Sequence, residues 1–73
     1  MNLSFFAYIT DSTDEKYPAS TFMTTKEPMH RGKRDTVQTG NGSYDLVGLD
    51  AITYEDEADL VQQVNEILKE MGI

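Results

Sequence analysis

The chain has 73 residues, no cysteine, one histidine and a formal net charge of −7. Its length fits a single domain, residues 1–73, with a modest core, and the absence of cysteine excludes disulfides and thiolate metal sites. A surface this acidic repels phosphate backbones, so direct binding to nucleic acid is not expected.

The positive charges are concentrated in residues 26–34, called the basic loop below. This stretch has one acidic residue, Glu27, and four basic ones: Lys26, Arg31, Lys33 and Arg34. Its local charge is +3, so the rest of the chain carries −10. An acidic body with one basic loop favours a protein partner that has a charge pattern of its own.

Residues 3–10 alternate in the manner of a β-strand. The odd-numbered set is wholly apolar and is expected to face the core: Leu3, Phe5, Ala7 and Ile9. Phe6 and Tyr8 would then lie on the outer face, which is more hydrophobic than a solvated face needs. The apolar run is too short to span a bilayer, and it lacks the features of a signal peptide, so no membrane association is expected.

Further strands are predicted between two loops. Residues 11–20 are polar and contain a proline, whereas residues 21–25 have strand composition. The basic loop has no periodicity, and an extended segment at residues 35–38 follows it. The Gly40-Asn41-Gly42 sequence predicts a hairpin turn with positive backbone angles and a returning strand over residues 43–47. Gly48 is expected to end or bulge that strand.

The last stretch, residues 53–73, predicts one amphipathic helix. Its apolar residues recur at helical spacing: Leu60, Val61, Val64, Ile67, Leu68 and Met71. Thr53 is the expected N-cap, with Asp56 in a loose capping box, and Gly72 suits the residue that closes the helix. Strands followed by one helix predict an α+β domain, a small antiparallel sheet of three to four strands with the helix on one face.

No pattern in the chain predicts catalysis, a metal or a cofactor. His30 is read as a solvent-facing loop residue among positive charges, so an enzyme is not expected. Asp11, Thr13 and Glu15 superficially resemble a calcium loop, but the glycine and glutamate that such a loop requires are missing. The glycines do not have the spacing of a phosphate-binding motif.

Two candidate contact surfaces emerge from residue type alone. Arginine, methionine and aromatic residues are enriched in interface cores. The predicted partner-binding residues are the two outward aromatic residues and three cations of the basic loop: Phe6, Tyr8, Arg31, Lys33 and Arg34.

Three segments carry a resemblance: the MNLSFFAYIT strand, the EPMHRGKRD loop and the DLVQQVNEILKEMGI helix. In a short, acidic, cysteine-free chain they resemble the small host-takeover proteins of bacteriophages, of the type that binds bacterial RNA polymerase in a Xanthomonas phage. The resemblance implies a non-enzymatic transcription regulator in the host cytoplasm that docks on the polymerase large subunits. It would inhibit σ-dependent initiation and promote antitermination. No residue role is carried over from it.

Two other classes stay open. The first is an inhibitor of a bacterial defence nuclease complex that imitates DNA through the acidic residues Glu55, Asp56, Glu57 and Asp59. The second is a structural or assembly subunit, for which self-association is the expected signature.

Overall fold

The computed structural model describes residues 1–73 and contains four strands and one helix. Their bounds are β1 Asn2–Ser12, β2 Thr21–Thr24, β3 Arg34–Thr39, β4 Gly42–Tyr54 and α1 Glu57–Met71. The strands form one antiparallel sheet in the order β2-β1-β4-β3. The predicted α+β class, with an antiparallel sheet and one C-terminal helix, is confirmed.

Helix α1 packs on one face of the sheet and forms the helix-side core. This core joins the buried stripe of the helix to strands β1 and β4: Phe6, Leu49, Ile52, Leu60, Val64 and Leu68. Phe6 lies at its centre and makes edge-on contacts with Phe22 and Tyr54, at centroid distances of 6.0 and 5.8 Å. Such aromatic pairs add to the stability that area burial alone provides.

The opposite face carries a second core, the loop-side core, which the sequence analysis did not predict. It consists of Ala7, Ile9, Met29, Tyr44 and Leu46. Loop residues close it from outside: Met29 is 7% exposed, and the ring of Tyr17 lies 4.7 Å from that of Tyr44. The sheet is therefore covered on both faces, by the helix on one and by connecting segments on the other.

This arrangement reverses the predicted orientation of β1. Phe6 and Tyr8 face the helix, whereas Ala7 and Ile9 face the loop-side core. The odd-numbered set is wholly apolar, but the even-numbered set also carries the large apolar rings of Phe6 and Tyr8, so periodicity alone is a poor guide to which face lies beneath the helix. The aromatic side chains of Phe6 and Tyr8 pack beneath α1. At the start of the strand, Leu3 extends past the covering loops and is 66% exposed.

Strand β4 bulges directly after Gly48, which is one of the two predicted outcomes, and does not end there. The register passes from Ala7↔Gly48 to Phe6↔Asp50, which leaves Leu49 as an extra residue in a bulge. Asp50 adopts φ 65° at this irregularity. The extra residue puts Leu49 and Ile52, three positions apart, on the same face of the sheet beneath the helix.

The β3–β4 hairpin forms where it was predicted, but its turn differs. Thr39 pairs with Gly42, so the turn residues are Gly40 and Asn41. Neither of them has a positive φ angle. The positive φ angle of this hairpin is at Gly42, where φ is 145°. Gly42 lies against Thr13, and a Cβ there would collide with the Thr13 side chain and backbone. Tertiary packing against the neighbouring loop therefore accounts for this glycine.

Helix α1 begins three residues later than predicted. Its N-cap is Asp56, which accepts a hydrogen bond from the Asp59 amide at 2.9 Å; Thr53 belongs to β4 and is not the cap. The Asp59 carboxylate in turn accepts a hydrogen bond from the amide of Glu55 at 3.0 Å. Gly72, at φ 79°, closes the helix as expected. A carboxylate at the cap position gains from the helix dipole as well as from the hydrogen bond.

Asp14 fastens the loop after β1 to the end of the β3–β4 hairpin. Its buried carboxylate accepts hydrogen bonds from the Thr39 hydroxyl at 2.6 Å and the Lys16 amide at 2.9 Å. The Thr39 bond is the main cause that holds the pKa of Asp14 below its ordinary value of 3.8, although burial opposes it. Beneath this loop, burial raises the pKa of the Tyr44 phenol. Both groups serve the fold.

Candidate functional site

Sheet topology explains the course of the basic loop. It connects β2 to β3, which are the two outer strands, so it must pass over β1 and β4. It crosses on the face opposite the helix, where Met29 is inserted into the loop-side core. The buried side chain of Met29 anchors the loop to the sheet.

The basic loop is fixed to β4 by backbone hydrogen bonds. The Asp50 amide donates to the Met29 carbonyl at 3.0 Å, Gly32 donates to the Gly48 carbonyl at 3.0 Å, and Gly48 donates to the Lys33 carbonyl at 2.7 Å. Gly48 permits this approach because a Cβ there would collide with the His30 carbonyl oxygen. The loop thus has no regular secondary structure of its own, yet its backbone follows the sheet.

The cations of the loop lie along the β3 side of the sheet and are exposed: Arg31, Lys33 and Arg34. Arg31 makes the only ion pair of the molecule, 3.3 Å from Glu70, with side chains that are 48% and 70% exposed. Lys33 and Arg34 have no carboxylate within salt-bridge distance. Two unpaired cations therefore project from a fixed backbone, while His30 is exposed beside them, as predicted.

The two predicted aromatic contact residues, Phe6 and Tyr8, differ in their exposure. Phe6 is 2% exposed and cannot act as a surface anchor in this fold, so its predicted outward position is wrong. Tyr8 is half-buried against the helix-side core. It pairs with Val47, which in turn pairs with Arg34, so Tyr8 and Arg34 share the helix face about 10 Å apart. The structure thus places one of the two aromatic residues, Tyr8, on the same face as one of the cations, Arg34.

A shallow polar cleft of about 530 Å³ lies beside Arg34. Thr10, Thr36 and Asp45 line it, and the Thr36 hydroxyl donates to the Asp45 carboxylate at 2.8 Å. Sequence reasoning missed these residues because they converge only through strand register. The alternation of residues within each strand carries no signal of which partner lies across from it.

Two of the four acidic residues around the start of α1 stabilise this end of the helix. Asp56 and Asp59 accept hydrogen bonds from helix-terminal amides, and the Gln63 side-chain amide also donates to Asp59 at 3.2 Å. Glu55 and Glu57 remain exposed. Helix capping accounts for half of this cluster, which reduces the case for an acidic recognition face.

No group of three or more histidine, aspartate or glutamate residues could hold a metal ion. No helix is long and apolar enough to cross a membrane. In comparisons with known proteins, no family model, curated protein or solved structure matches the chain.

Proposed function

We propose that the protein is a non-enzymatic regulator of bacterial transcription that binds the large subunits of RNA polymerase through its basic loop. The observation that supports this most is the pair of unpaired cations, Lys33 and Arg34, on a backbone that hydrogen bonds hold to β4. A preorganised surface loses little conformational entropy on binding. The resemblance to phage proteins that bind polymerase supplies the identity of the partner.

Regulation requires only that the protein bind two polymerase states with different affinity. Preferential binding to the core enzyme would disfavour the σ-bound holoenzyme, and so would inhibit promoter-specific initiation. Retention on the elongating enzyme would permit antitermination. In this proposal Lys33, Arg34 and Arg31 form the charged element of the contact, and Tyr8 lies at its edge.

The test is a binding titration of the fluorescently labelled protein with purified core polymerase and with holoenzyme. We expect tighter binding to core enzyme. The double substitution Lys33→Glu with Arg34→Glu reverses both charges. It should weaken binding to core enzyme by about tenfold or more, as for charges that face a complementary partner surface. Arg31 is left intact because its reversal would also repel Glu70.

The matched control is Lys16→Glu with Lys69→Glu, which makes the same change in net charge at exposed positions outside the loop. It should leave affinity within about twofold, since long-range charge effects are screened at physiological salt. Circular dichroism confirms folding of both variants. Equal losses in the two double variants would contradict a role for the loop, and absence of polymerase binding would refute the proposal.

A further inference from the structure

A groove runs between the second half of β4 and the flank of α1. It has a volume of about 410 Å³. Ala51, Ile52 and Thr53 line one side, and the helix residues Gln63, Glu66 and Ile67 line the other. The Arg31–Glu70 ion pair lies at its margin. The groove combines a strand edge, an apolar side chain of the helix and acidic groups.

The strand edge in this groove is open. Strand β3 pairs with β4 only as far as Val47, and the basic loop reaches Asp50. Beyond it, Ala51 and Thr53 lie opposite Phe5 and Leu3 of β1. The backbone carbonyl of Phe5 accepts a hydrogen bond from the Thr25 amide, so it points toward β2 and away from β4.

Because backbone groups alternate in direction along antiparallel strands, the pairs Phe5–Ala51 and Leu3–Thr53 are of the non-hydrogen-bonded kind. The amide and carbonyl groups of Ala51 and Thr53 therefore point into the groove. The carbonyl of Thr53 confirms this direction, since it accepts from the Gln63 side chain at 2.8 Å. The remaining outward groups can receive an added strand.

The charge of the groove is one-sided. On a helical wheel, Asp59, Glu66 and Glu70 fall on the flank of α1 that carries Gln63 and Ile67. The other flank carries Val61, Asn65 and Lys69, and its one carboxylate, that of Glu57, lies in the first turn of the helix. One guanidinium of the chain, that of Arg31, already binds this acidic flank at Glu70. The groove is thus complementary to extended backbone and to positive side chains.

We propose that this groove binds an extended segment of another protein, with arginine or lysine at alternate positions, as an added strand on the edge of β4. In such a strand every second side chain points toward α1. There a long basic side chain can lay its methylene groups on Ile67 and place its charge at Glu66 or Glu70. Backbone hydrogen bonds would provide affinity and the alternate cations specificity, as in other strand-addition complexes.

The exposed Arg31–Glu70 pair does not block the groove. Ion pairs exposed to this degree contribute little to stability, so an incoming cation can replace Arg31 at small cost. The groove shares Arg31 with the proposed polymerase contact but includes neither Lys33 nor Arg34, and its proposed role does not depend on polymerase binding.

The experiment titrates ¹⁵N-labelled protein with a short peptide that alternates arginine and valine and has blocked ends. We expect saturable binding with the largest amide shifts at Ala51 and Thr53. A second peptide with proline in place of the valines keeps the charge but cannot donate the ladder hydrogen bonds. It should bind at least about tenfold more weakly.

Variants decide whether the groove is responsible. Glu66→Lys with Glu70→Lys should weaken binding of the alternating peptide by about tenfold or more. The control, Glu15→Lys with Glu27→Lys, makes the same charge change at exposed positions outside the groove and should leave it nearly unchanged. Equal binding of the two peptides, equal effects of the two variants, or shifts spread over all acidic residues would each overturn the proposal.

Discussion

Gly48 is the residue that most directly connects the fold to the candidate site. Its missing side chain lets the backbone of the basic loop approach β4, because a Cβ would collide with the His30 carbonyl oxygen and lie 2.9 Å from that of Met29. Any larger residue must push the loop outward and strain the hydrogen bonds that fix it.

We therefore expect Gly48→Ala to lower the free energy of unfolding by about 1–3 kcal/mol, the usual cost of overpacking. Urea denaturation measures this loss, and amide exchange of Gly32 should become faster because its bond to the Gly48 carbonyl weakens. Gly40→Ala is the control, since a Cβ at Gly40 meets nothing within 4 Å. Equal stability of the two variants would show that the loop adapts to the added methyl group.

Asp14 makes stability depend on pH in a definite direction. Its pKa is lowered in the folded state, chiefly by the Thr39 hydroxyl, so folding favours the ionised carboxylate. The resulting stabilisation is present above the ordinary pKa of 3.8 and is lost as pH falls through the lower folded-state value.

Asp14→Asn should therefore destabilise the protein near neutral pH and have a diminishing effect below the ordinary pKa of 3.8. The measurement is the urea midpoint of both proteins from neutral to acid pH. Thr39→Val should reduce the same dependence, because it removes the hydroxyl that bonds Asp14. An undiminished difference between Asp14→Asn and the original protein at the lowest pH would contradict this account.

At the scale of elements, β1 shows where periodicity stops being informative. The alternation correctly predicts a strand, but each of its two residue sets contains large apolar side chains, including Phe6 and Tyr8 in the set that also holds Ser4 and Thr10. The choice between them depends on Phe22 and Tyr54, which contact Phe6 from other strands. The helix was likewise predictable from its apolar stripe, whereas its first residue was not, because Thr53 and Asp56 are both acceptable caps.

The orientation of β1 can be tested by truncating one side chain from each set. Phe6→Ala should lower the free energy of unfolding by about 3–5 kcal/mol, the cost of removing a buried aromatic ring. Leu3→Ala should change it by less than about 0.5 kcal/mol, since Leu3 is largely exposed. Urea titration at neutral pH compares them. If Leu3→Ala instead lowered the free energy of unfolding more than Phe6→Ala, the orientation expected from the sequence would be the correct one.

At the scale of the whole molecule, the candidate site depends on topology that the sequence does not reveal. The four basic residues of the loop are visible in the printed sequence, but their fixed backbone follows from β2 and β3 lying at opposite edges of the sheet. The loop must then cross the sheet, and Met29 becomes part of a core. The open edge at Ala51 and Thr53 also depends on topology, because β3 pairs with β4 only as far as Val47.

The net charge of the molecule leads to a last prediction. A charge of −7 on a body with a 12.0 Å radius of gyration produces self-repulsion in the folded state. Only one ion pair offsets it, and that pair is exposed. Salt screens charges over about 10 Å at 0.1 M, so it should relieve repulsion more than it weakens attraction.

We expect the urea midpoint to rise as sodium chloride increases from about 10 mM to about 150 mM, where the screening length falls below the molecular radius. Potassium chloride should act equally, which separates screening from binding of a particular cation. The control variant is Glu15→Gln with Glu27→Gln, which removes two exposed carboxylates and should reduce the salt dependence. A midpoint that falls with salt would instead mean that attraction, at the helix end and between Arg31 and Glu70, outweighs the net repulsion.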